Sequence, residues 1–126
     1  MSTVSRRTLF WAPRVLTIVF IAFVSLFALD VFEEGRGFWK TLVALAMHLI
    51  PSFVMVGILV LSWRWEWVGA ALYTALAGLF LWWDHNYRHN ALIAVLMLTV
   101  PLFLMAALFL VNWLKHDELR ARPAMR

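Results

Sequence analysis

The chain has 126 residues, 64% of them hydrophobic and 14% charged, with a mean hydropathy of +0.83. Soluble domains run at about 45–50% apolar and about 25% charged, and a chain this short cannot bury so much apolar surface in water, so a soluble globular fold is excluded. The net charge of +4 comes from Lys and Arg at the ends of apolar segments and not from a basic stripe, which argues against nucleic acid as a partner. Cysteine is absent, which removes disulfides, thiolate zinc sites and iron–sulfur clusters.

Four apolar runs follow in chain order, at about residues 15–32, 41–62, 66–83 and 91–114. A helix needs about 20 residues to cross a hydrocarbon core of about 30 Å. The second and fourth runs meet this comfortably, and the third needs its flanking Trp65-Glu66-Trp67. Continuous apolar runs lack the alternation of barrel strands, and a segment in lipid must pair its backbone internally. The expected fold is therefore all-α, a single transmembrane four-helix bundle.

The first run follows Arg6, Arg7 and Arg14 but has no small-residue cleavage site before Asp30, so it reads as a retained helix and not a signal peptide. Arg14 is expected to snorkel to headgroups. Pro51 and Pro101, inside the second and fourth runs, are expected to kink their helices.

Eight Lys and Arg residues fall on the side that carries both termini and the second loop, against three on the other side. Both ends are therefore expected in the cytoplasm. Trp11, Trp63, Trp65, Trp67 and Trp113 mark the inner boundary, and Trp39, Trp82 and Trp83 the outer one, as interfacial anchors.

Displacing the sequence by 50 residues lays Met47, Pro51, Phe53, Met55 and Trp63 over Met97, Pro101, Phe103, Met105 and Trp113. This spacing suggests two parallel helical-hairpin repeats.

His48 is the one ionisable residue well inside a run, where such a group is costly and points by default to function. Haem ligation, quinone hydrogen bonding and proton relay are conceivable, but a single interhelical hydrogen bond would equally satisfy a neutral imidazole. A second haem ligand would have to come from a homodimer or a partner, because the repeat places Leu98 opposite His48. Asp84, His85 and His89 form an outer cluster, with the two imidazoles spaced i, i+4, and could enter a zinc or copper shell. A short polar loop also needs such residues to stay hydrated. Gly69, Ala70, Ala71, Ala75, Ala77 and Gly78 make the third run the close-packing helix.

The strings Trp11-Ala12-Pro13-Arg14, Ser25-Leu26-Phe27-Ala28-Leu29-Asp30-Val31-Phe32, Met47-His48-Leu49-Ile50-Pro51 and Trp63-Arg64-Trp65-Glu66 resemble a family of small uncharacterised bacterial four-span membrane proteins. The resemblance implies a bacterial inner-membrane location and transfers no catalytic residue. No paired acid and base, nucleophile set or phosphate-binding glycine loop is present, so no enzyme activity is expected. The expected function is that of a non-enzymatic accessory subunit that packs against lipid and other transmembrane helices. The alternatives are a homo-oligomeric transporter or channel using His48, and a haem or quinone redox protein using the same residue. No cofactor is expected under the first reading.

Overall fold

A computed structural model describes residues 2–35, 37–88 and 92–120. Every element among them is helical: α1 (Thr3–Leu26), α2 (Phe38–Arg64), α3 (Glu66–Trp83), α4 (Leu92–Leu114) and a final turn, α5 (His116–Arg120).

Helix α1 starts earlier than hydropathy suggests because Ser2 caps it, its hydroxyl accepting from the Ser5 amide at 3.2 Å. The chain then tightens into a 3₁₀ segment, Phe27–Glu34, and turns at Gly35, whose φ of 60° is left-handed and suits glycine. Only Trp65, in extended conformation, separates α2 from α3. A π-helical turn, Asp84–Arg88, follows α3. Pro13, Pro51 and Pro101 all lie within helices that continue through them.

Among the described residues, three helical stretches are long and apolar enough to cross a bilayer: Thr3–Glu33, Phe38–Arg64 and Val95–Leu114. Helix α3, with 18 residues and about 27 Å at 1.5 Å per residue, is not among them because Glu66, Trp67, Trp82 and Trp83 dilute its apolar run.

Side-chain pairings fix the helix directions. The start of α1 meets the start of α3 through Arg14 and Glu66, and meets the end of α4 where Asn112 donates to the Phe10 carbonyl. Midway along, Tyr73 donates to the Met55 carbonyl at 3.0 Å, and Thr17 lies 3.0 Å from the Met105 sulfur. Helices α1 and α3 thus run one way and α2 and α4 the other. Phe20, Met55, Ile58, Tyr73, Met105 and Phe109 are part of one buried cluster drawn from all four.

Gly69 sets the closest approach. A Cβ there would collide with the Ser62 side chain and press on the Phe109 ring, so only hydrogen lets α3 sit this near α2 and α4. The expectation that α3 is the close-packing helix holds at Gly69 and at the fully buried Ala77, while Gly78 faces open space.

Candidate functional site

The most concentrated chemistry lies where α1, α3 and α4 meet near the Trp65 turn. Glu66 opens α3, and its carboxylate at a helix N-terminus is favoured by the dipole. It is buried. Its Oε1 accepts from Arg14 Nη2 at 3.4 Å and from Arg120 Nη2 at 3.0 Å, and its Oε2 accepts from His116 Nδ1 at 3.2 Å. Three elements, α1, α3 and α5, therefore converge on one carboxylate, with α5 reaching back to supply two of the donors.

Arg14 is fully buried. Its second amino group donates to the Phe10 carbonyl one turn back, and its guanidinium carbon stands 3.7 Å from the Phe10 ring centroid, with Trp63 and Phe109 farther out at 5.3 and 5.8 Å. An arginine held on aromatic rings and paired with a carboxylate is stabilised inside a medium that would otherwise reject it. The expectation that Arg14 snorkels to headgroups is overturned. A neighbour of opposite charge at the same level gave it a closer partner than water.

The polar lining continues inward from this cluster. The Thr17 hydroxyl donates to the Pro13 carbonyl at 2.6 Å, Ser62 bonds back to Ile58, and Ser25 meets Ser52 across α1 and α2 at 2.9 Å. Each hydroxyl is satisfied by its own helix one turn back or by a neighbour, which is how small polar residues become tolerable in lipid. The Glu66 oxygens are engaged by two guanidinium groups and one imidazole. These bonds tie α1, α3 and α5 together.

The residues singled out in the sequence are placed elsewhere. His48 is exposed on the N-terminal half of α2, where its Nδ1 pairs with the Ala44 carbonyl at 2.9 Å. A carbonyl can only accept, so Nδ1 is the donor in this bond and Nε2 is not engaged by it. Asp84 and His85 lie in the turn after α3, half-buried and exposed respectively, and His89 lies outside the described residues. Among the described residues no three His, Asp or Glu side chains gather as a metal site. All eight tryptophans are exposed, with Trp11 and Trp63 packed edge to face at 5.7 Å.

Glu66 escaped the sequence reading because it appears there only as a flank of the third run. The available signal was a carboxylate between two tryptophans, at the same expected level as Arg14 and beside the His116 to Arg120 segment. No curated protein and no solved structure matches the chain. One family model does match, over residues 1–123, and on it the chain belongs to the family described as Domain of unknown function (DUF7670).

Proposed function

We propose that the protein is a non-enzymatic accessory subunit of a larger complex in the bacterial inner membrane. It crosses the bilayer four times as a four-helix bundle of two parallel hairpin repeats, with both ends in the cytoplasm. Alternating helix directions support the fourth crossing, α3 being short of the hydrocarbon thickness by only about 3 Å, a mismatch that local thinning or its flanking tryptophans accommodate. The repeat is supported by burial: Met55 and Met105 are both buried, Met47 and Met97 both exposed, and Ser62 and Asn112 both fully buried, each pair 50 residues apart.

The observation that carries the accessory reading is the outer half of α2. From Phe38 to Pro51 it has no buried residue; the first is Ser52. Apolar side chains there are at home in lipid, but His48 is not, because Nε2 has no hydrogen-bond donor among the acyl chains. A neighbouring transmembrane helix that covers this face and donates to Nε2 resolves the conflict. Beside it Trp39, Lys40, Val43, Ala44 and Met47 line a shallow groove of about 600 Å³ in which a helix can seat.

Purification from native membranes in mild detergent, followed by mass spectrometry, tests this. A stoichiometric partner lost on His48→Leu is the expected result. A pure homo-oligomer that retains proton-dependent transport would instead favour the transporter or channel, with His48 facing its copies across the symmetry axis. Visible absorption in the purified protein would favour the haem reading, in which the outward Nε2 is the ligand.

A further inference from the structure

A second cleft, of about 500 Å³, opens at the end of the molecule opposite the His48 face, with Arg64, Glu66, Trp67, Trp113, His116 and Asp117 on its walls. Glu66, His116, Arg14 and Arg120 are already bonded into one cluster. That leaves two charged groups on the walls outside the cluster. The exposed Arg64 guanidinium lies 5.4 Å from the Trp65 ring centroid and has no carboxylate partner among the described residues. The exposed Asp117 carboxylate has no hydrogen bond or ion pair among them either.

A cation and an anion thus share one cleft without pairing. Indoles stand on the same walls, at the level where tryptophans mark the headgroup region of a bilayer. We infer that the cleft binds the headgroup of a zwitterionic aminophospholipid, with the phosphate on Arg64 and the ammonium between Asp117 and the Trp67 and Trp113 rings. Phosphate suits a guanidinium fork, and an ammonium is attracted both by a carboxylate and by an indole face. A purely anionic headgroup would gain Arg64 but meet Asp117. The inference needs α2 and α4 to end, and α3 to begin, at one membrane face, and nothing more of the accessory-subunit reading.

The test is native mass spectrometry of the full chain released from nanodiscs containing equal parts phosphatidylethanolamine and phosphatidylglycerol with identical acyl chains. The wild type is expected to retain one phosphatidylethanolamine in preference. Asp117→Asn is expected to cut that retention about fivefold, the scale of one exposed ion pair, without lowering retention of phosphatidylglycerol. Arg64→Gln is expected to weaken both lipids. Both side chains are exposed, so an unchanged unfolding temperature is expected to confirm that the variants are folded. Equal or greater retention of phosphatidylglycerol by the wild type, or an unaltered preference in Asp117→Asn, overturns the inference. Displacement of the lipid by excess free phosphoethanolamine overturns it too, by making the ligand soluble.

Discussion

The two ends of this bundle solve the problem of polar groups in lipid in opposite ways. At the Glu66 end, one carboxylate collects Arg14, His116 and Arg120, and Gly69 lets the helices close until Arg14 is wholly enclosed. At the His48 end, α2 stands with no buried residue before Ser52 and shows an imidazole outward. The first end finds its counter-charges within the chain, and the second, on the reading proposed above, finds its partner in another helix. Charge is tolerated in an apolar medium when its partners come from the same fold, and it points outward to a partner when they do not.

The largest effect expected from breaking this contrast is at the closed end. Glu66→Met leaves Arg14 buried without its counter-charge, and should cost about 3–5 kcal/mol in an unfolding titration in detergent. The double change Arg14→Met with Glu66→Met should recover most of that loss, because Arg120 and His116 are partly exposed and can turn to water. A double variant as unstable as the single one would mean that the pair is not the unit that matters.

Next in size is the glycine comparison within α3. Gly69→Ala drives a methyl into Ser62 and should cost about 1–3 kcal/mol by overpacking. Gly78→Ala, toward the other end of the same helix, meets open space and should leave the melting temperature unchanged or slightly higher. Smaller still, Arg120→Gln removes a half-exposed partner of Glu66 and should cost no more than about 1 kcal/mol, falling further in high salt. Least of all, His48→Leu in the isolated chain should shift stability by less than about 0.6 kcal/mol, since its one bond returns to its own helix.

Apolar run length was legible in the sequence because it is local: α2 encloses the second run, and α4 coincides with the fourth over the described residues. The early start of α1 was missed because residues 3–14 are polar enough to break a hydropathy run while still forming helix behind the Ser2 cap. The Glu66 cluster was illegible for a different reason. Hydropathy charges each ionised residue its full cost separately, whereas Arg14 and Glu66 offset one another across 52 positions. A pattern that pairs opposite charges at the same expected depth on neighbouring helices would have found it. His48 was conspicuous as an ionisable residue within an apolar run, but whether it faced inward or outward depends on how α2 packs, which its own periodicity does not specify.

The central contrast is tested most directly by a photocrosslinking scan along α2 in native membranes. The account predicts protein adducts from the exposed outer positions Val43, Met47 and Ile50, converging on one transmembrane species and lost with His48→Leu, while the equally exposed Val60 beyond Ser52 yields lipid adducts alone. Lipid adducts alone from all four positions, unchanged by His48→Leu, would contradict it and leave the outer half of α2 facing nothing but the bilayer.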